Sequence, residues 1–266
     1  MGAGVQRMAR YNKFDKNRED PFPISRSGID QFLRCPRTFV LQRKFGLKPP
    51  AMVPLTLAVA TDHLLKNEFD GYREKQFSEH PIFEKFNLEV IPYQHPEIED
   101  WRNNFKGIRY LDEATNLEVF GAVDDVWEDI NSKELYIVDY KSTSKQGDPD
   151  IESGWGSGYK RQMEVYQWLF HKREFPVSDL GYFLYVNGIK GDNDFYSDQQ
   201  GYEDVGLMEF KTTLIPYTGN SDWVSDTLMS IKETLMDDKL PPANESWEDN
   251  RYFYERLQLE RELGEI

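Results

Sequence analysis

One stretch, residues 117–141 (LEVFGAVDDVWEDINSKELYIVDYK), constrains this chain more than any other. β-Branched and aromatic residues dominate both ends, and INSKE between them supplies turn chemistry, so the stretch reads as a β-hairpin. A turn centred on Asn131 and Ser132 sets Asp124 opposite Asp139. Directly opposed side chains of an antiparallel pair share a face, with Cβ atoms roughly 5 Å apart. Two carboxylates that close raise each other's pKa unless something positive sits between them. Strand alternation returns Lys141 to the face of Asp139. Two acids and a lysine on one face suit a hard divalent cation beside a fixed positive charge. The plain alternative is an Asp-rich hairpin tip on an acidic surface. Against it, Gly121 inside the strand marks a bulge or the close approach of another backbone. The acids also sit among Val123, Val126, Ile137 and Val138, where a carboxylate needs a partner or a metal.

The 266 residues fall between one and two domains in length. At 39% hydrophobic and 14% aromatic they can bury a substantial core. The lone cysteine, Cys35, excludes an internal disulfide framework and points to a reducing, cytoplasmic setting. No apolar run nears ~20 residues, so no membrane-spanning helix is expected. The first 17 residues are polar and basic without an apolar core, unlike a secretory signal. Residues 1–23 are expected to form a flexible basic arm ahead of a single domain over 24–266. The net charge of −15 is unevenly spread: residues 1–50 hold eleven Lys and Arg against four Asp and Glu, a net of +7 that leaves −22 for the rest. A basic segment on an acidic body can present a local phosphate-binding surface.

After the arm, Ser25 or Ser27 offers a helix N-cap, with Ile29, Phe32, Leu33, Phe39, Val40 and Leu41 at near-helical spacing. Cys35-Pro36 breaks that run into two short helices or one kinked helix. Arg34, Arg37, Arg43 and Lys44 decorate it as candidate phosphate contacts, and prolines at 49, 50 and 54 end it. Residues 55–72 read as a helix with Leu57, Ala60, Leu64 and Leu65 inward and His63 on the Ala60 stripe. Glu68 and Asp70 read as solvated, and His80 and His95 have no partner in the sequence. Residues 105–110 read as a strand leading into the hairpin. Residues 142–159 are polar and glycine-rich without a phosphate-cradling fingerprint, and no G-x4-G-K-[ST] occurs anywhere. A helix over 160–170 places Gln162 and Tyr166 at i and i+4, for which a solvated face is the plain alternative. Strands follow over 180–186 and 205–217. Ser221 or Asp222 caps a helix running to about Asp238 with Trp223, Leu228, Ile231 and Leu235 as its apolar stripe, and a final helix closes the chain. One α/β domain with a central mixed sheet is the expected architecture.

In order and approximate spacing, five elements resemble the PD-(D/E)XK nuclease superfamily, specifically the RecB-like branch with the CRISPR-associated four-cysteine nucleases and AddB-type domains. These are SGIDQFLRCPR from Ser27, Ala60 to His63 for G-x-x-H, Gly121 to Asp124 for G-x-x-D, Asp139-Tyr140-Lys141 for the acid-x-Lys core, and Gln162 to Tyr166 for Q-x-x-x-Y. The resemblance spans roughly residues 24–250 and implies a restriction-endonuclease-like core, a central mixed β-sheet flanked by helices. It implies that His63, Asp124, Asp139 and the Tyr140 carbonyl bind Mg²⁺ or Mn²⁺. Lys141 would position the nucleophile or offset charge on the phosphorane, while Gln162 and Tyr166 would steady the site helix or touch the DNA backbone. Two departures stand out. Alanine replaces the glycine of the histidine element, and no cysteine follows Pro242, so no iron–sulfur cluster is expected.

The resulting expectation is a Mg²⁺/Mn²⁺-dependent deoxyribonuclease, an exonuclease on single-stranded DNA or duplex ends, which a helicase, recombination or CRISPR partner could accompany. The rival readings are a non-catalytic DNA-binding or complex-assembly module on the same fold, and an acidic protein-interaction domain unrelated to DNA.

Overall fold

The structure, a computed structural model, describes residues 13–47, 55–189 and 208–242, with scattered positions between 255 and 264. Residues 1–12 of the expected arm, the prolines at 49, 50 and 54, and nearly all of the expected final helix lie outside the described residues. In chain order the elements are β1 (Phe22–Ser25), α1 (Arg26–Arg34), α2 (Pro36–Arg43), α3 (Thr56–Lys75), α4 (Pro81–Phe86), β2 (Val90–Pro92), α5 (Ile98–Trp101), β3 (Ile108–Asp112), β4 (Leu117–Gly121), β5 (Asp125–Asp129), β6 (Leu135–Thr143), α6 (Gly156–Lys172), β7 (Leu180–Gly188), β8 (Phe210–Thr218) and α7 (Trp223–Met236). No helix among the described residues is long and apolar enough to cross a membrane. The architecture is α/β, with the mixed sheet and flanking helices of a restriction-endonuclease-like core.

The chain divides into two compact units. The first comprises Met1–Met52, Leu111–Val119 and Trp223–Ile266. Here Ser25 caps α1, its hydroxyl accepting from the Gly28 amide at 3.1 Å. Cys35 ends α1 and caps α2, its sulfur accepting from the Thr38 amide at 3.4 Å and the Thr38 hydroxyl at 3.2 Å. With Pro36 at the first position of α2, the chain forms two helices rather than one. Phe14 and Phe22 are buried edge-to-face at 5.3 Å, so the segment expected as a free arm up to residue 23 is packed from Phe14 onward. An aromatic side chain buries too much apolar surface to stay in water once a neighbour offers cover.

The second unit, Val53–Tyr110 with Phe120–Asp222, holds a five-stranded mixed sheet in the order β2-β5-β6-β7-β8. β6 and β7 pair in parallel at its centre, and both are mostly buried, as parallel strands covered on both faces must be. The other pairs are antiparallel, and Pro216 is tolerated because β8 lies at the edge.

Two expectations are corrected here. The run over 117–129 is two strands rather than one arm of a long hairpin: β4 belongs to a three-stranded sheet, β1-β4-β3, and β5 to the five-stranded one. The break falls at residues 122–124, just after Gly121. A Cβ on Gly107, whose φ is +63°, would lie 2.5 Å from the Gly121 carbonyl oxygen, so two backbones meet there with no room for a side chain. The hairpin register itself is the expected one: Asp125 pairs Val138 and Glu128 pairs Leu135. The second correction concerns α3. Its buried stripe is Thr61, Leu65, Phe69 and Arg73, whereas Leu57 and Leu64 are exposed. α3 carries apolar residues on two faces, and Phe69 decides between them by packing on Trp127 at 5.3 Å, Phe83 at 5.8 Å and Tyr140 at 6.0 Å.

Candidate active site

The middle of β6, which carries Asp139, and the bend before β5, which carries Asp124, bring the acids together. Asp124 Oδ2 accepts from the Tyr140 amide at 2.8 Å, which fastens the bend to the strand carrying Asp139. Lys141 ion-pairs with Asp139 and comes within 3.4 Å of the Gln162 side-chain oxygen. From α6, the Gln162 amide donates to Asp139 Oδ1 at 2.7 Å and bonds the Tyr166 hydroxyl at 3.0 Å. Asp124, Asp139, Lys141, Gln162 and Tyr166 thus form one connected cluster. Burial works against the Lys141 ammonium, but the neighbouring Asp139 and Asp124 carboxylates outweigh it and hold its pKa above the ordinary lysine value.

His63 stands apart from this cluster. It is exposed on α3, and the contact it makes is with the Asn67 side chain at 3.1 Å. The preceding residue faces the acids instead: Lys66 lies 2.9 Å from Asp62 and 3.5 Å from Asp124. Burial and the Asp124 charge push the Asp62 carboxyl above its usual range, with Lys66 offsetting part of that rise. The i, i+4 spacing of Asp62 and Lys66 on α3 is the sequence signal for this pair.

Behind the site lies a buried ion network. Asp125, fully buried, pairs with Arg73 and accepts from the Tyr140 hydroxyl at 2.8 Å, the Trp127 indole at 3.3 Å and its neighbour's amide, Val126, at 2.8 Å. Arg73 also pairs with Asp70, which takes both guanidinium nitrogens of Arg102 at 2.8 and 2.9 Å. Asp70 is therefore a half-buried structural acid, not a solvated one. Burial and the Asp125 charge raise the Tyr140 phenol well above its ordinary value, so it donates rather than ionises. An arginine on the buried stripe of α3, in step with Leu65 and Phe69, was the signal for this network, because a buried cation demands a carboxylate.

The basic candidates of the first unit have partners of their own. Arg34 pairs with Asp30 at 3.0 Å, Arg37 donates to the Pro241 carbonyl at 2.9 Å, and Lys44 donates to the Asp237 carbonyl at 2.6 Å. Arg43 lies 5.8 Å from the Phe39 ring centroid. Arg37 and Lys44 in this way fasten the chain just after α7.

The carboxylates of Asp124 and Asp139 are oxygen donors of the kind a hard divalent ion takes. Mg²⁺ uses few protein ligands and keeps several waters. Among the described residues no three His, Cys, Asp or Glu side chains converge as a metal cage.

A mixed α/β sheet thus carries an acid and a lysine on its central strand, with a second acid from the bend before β5 and a glutamine from the following helix beside them. The chain belongs to the PD-(D/E)XK nuclease superfamily, whose family model matches residues 55–226. The superfamily's nucleases are typically dependent on divalent metals such as Mg²⁺. Comparison with curated proteins finds no match.

Proposed function

We propose that this chain is a Mg²⁺- or Mn²⁺-dependent deoxyribonuclease that cuts single strands or duplex ends exonucleolytically. The observation that carries the reading is the 2.8 Å bond from the Tyr140 amide to Asp124, because it ties the second acid to the strand holding Asp139 and Lys141. Asp124, Asp139 and the Tyr140 carbonyl would hold the ion. When bound, such an ion lends Lewis acidity to the scissile phosphate and to the attacking water. Lys141 holds a positive charge beside the reacting phosphate, where it offsets developing negative charge. Gln162 orients Asp139, and Tyr166 in turn holds the Gln162 amide. His63 takes no part in this shell. Arg34, Arg37, Arg43 and Lys44 are engaged within their own unit, so phosphate binding is assigned first to the site itself.

End-labelled linear and circular oligonucleotides, single- and double-stranded, incubated with Mn²⁺ test this. Linear strands are expected to shorten progressively and circles to persist. Asp139→Ala and Lys141→Ala should each lose about 100-fold or more in rate, the loss typical when a preorganised electrostatic group is removed. Full activity in both variants overturns the site, and a wild type that binds DNA and cuts nothing favours the non-catalytic module.

A further inference from the structure

One face of α6 runs beyond the glutamine and tyrosine of the site. Trp155, Tyr159, Gln162 and Tyr166 follow at steps of four, three and four residues, which is one helical stripe. Its inner end is bonded to Asp139 through Gln162. In the middle, the Lys141 ammonium lies 4.5 Å from the centroid of the Tyr159 ring, a cation–π contact that joins the ring to the acid-x-Lys core. At the outer end Trp155, the residue just ahead of the first turn, is 62% exposed. Leaving an indole in water forgoes much of its burial energy, and isolated exposed tryptophans are uncommon for that reason. This one is not isolated. It ends a row that leads to the carboxylates, about 10 Å along the helix axis from Gln162 at 1.5 Å per residue. That separation is roughly three stacked nucleotide steps of 3.4 Å.

We propose that Trp155, with Tyr159 beneath it, is a stacking platform for an unpaired nucleobase of the strand being cut. Resting on the nuclease reading above, the assignment gives its substrate preference a physical basis: the strand must have bases free to unstack, as single strands and fraying ends do. An indole face accepts any base, so the platform grips without reading sequence. A base inside a duplex has both faces covered by its neighbours and cannot use it. Trp155 is a binding and specificity residue, distinct from the groups that touch the reacting phosphate.

The test compares wild type, Trp155→Ala and Trp155→Phe by fluorescence anisotropy in EDTA, with a short labelled single strand and the same strand made abasic throughout. Stacking is worth about 1–3 kcal/mol per base, so Trp155→Ala should bind the normal strand about 10-fold more weakly or worse. Binding of the abasic strand should be unchanged, and Trp155→Phe should recover most of the loss. Equal binding of the normal strand by wild type and Trp155→Ala overturns the platform and leaves Trp155 to a protein contact. So does an equal loss on both strands, which marks a structural defect. Cleavage with Mn²⁺, assayed separately on wild type, keeps the two ideas apart. Cutting without base-dependent binding at Trp155 sinks the platform alone, and base-dependent binding without cutting sinks the nuclease reading and the substrate role with it.

Discussion

Asp124 and Asp125 are neighbours with opposite employment. Asp125 is fully buried, and its oxygens serve Arg73, Tyr140, Trp127 and a backbone amide, a network separate from the one in which Asp139 meets Lys141 and Gln162. Asp124 keeps its side chain about a quarter exposed, at 24%, and has one oxygen toward Tyr140 and the other toward Lys66. Removing the charge of each should therefore read out differently. Asp125→Asn leaves Arg73 short of a buried counter-charge and should cost about 3–5 kcal/mol of stability, seen as a lower denaturant midpoint. Asp124→Asn keeps an oxygen for the Tyr140 amide, should stay within about 1 kcal/mol of wild type, and should lose cleavage. Equal stability of the two variants would contradict this division. The sequence distinguished the pair only through strand register, which put Asp124 across from Asp139, and that geometry was legible because a period of two admits no other answer once the turn is placed. The role of Asp125 was not, since it depends on Arg73, 52 residues upstream on a helix whose buried face was misjudged.

Among the elements, the hairpin was legible in its register but not in its extent. Nothing between residues 117 and 129 announces a change of sheet except Gly121, and its meaning depends on Gly107, which only the fold brings near. Gly107→Ala must accept both a φ of +63° and a Cβ 2.5 Å from the Gly121 carbonyl. The left-handed backbone alone costs about 1–2 kcal/mol, so a thermal melt should show a destabilisation at least that large. The helix α4 supplies a pH-dependent case. Its cap is His80, whose ring stacks on Phe69 at 4.4 Å and whose Nδ1 accepts from the Ile82 amide at 3.1 Å. Burial holds the pKa of His80 below its ordinary 6.5 despite the Glu68 carboxylate at 3.2 Å. The unfolded chain then binds the proton more readily than the folded one, so this contribution is intact above about pH 6.5 and is lost as pH falls below it. The slope cannot exceed about 1.4 kcal/mol per pH unit for one proton. His80→Asn can still cap α4 and should flatten the stability profile between pH 5 and 7 relative to wild type. An unchanged profile would show that another group sets it.

At the scale of the whole molecule, a net charge of −15 sets the background against which the site works. Self-repulsion disfavours the compact state, and any cation that binds only the folded chain relieves it. Two lysines already do so locally, Lys141 on Asp139 and Lys66 between Asp62 and Asp124. Both are internal counter-ions for carboxylates that the proposed metal shell would share, so a divalent ion arrives in competition with Lys66 rather than at bare acids. Two consequences can be separated by experiment. Monovalent salt screens the whole surface and should stabilise wild type and variants alike. Mn²⁺ at equal ionic strength should add a further shift, about 2.7 kcal/mol when it is 100-fold above its dissociation constant. That increment should vanish in Asp124→Ala/Asp139→Ala. In Lys66→Met the two effects should cross: the protein without metal is less stable, because Asp62 and Asp124 lose their shared cation, and the Mn²⁺ shift is larger, because the ion no longer displaces an ammonium. Thermal melts of the three proteins in NaCl and in MnCl₂ decide the matter. A Mn²⁺ shift that is the same in the double-alanine variant as in wild type would place the ion elsewhere on the acidic surface, whereas a smaller shift in Lys66→Met would show that the lysine assists the ion instead of competing with it.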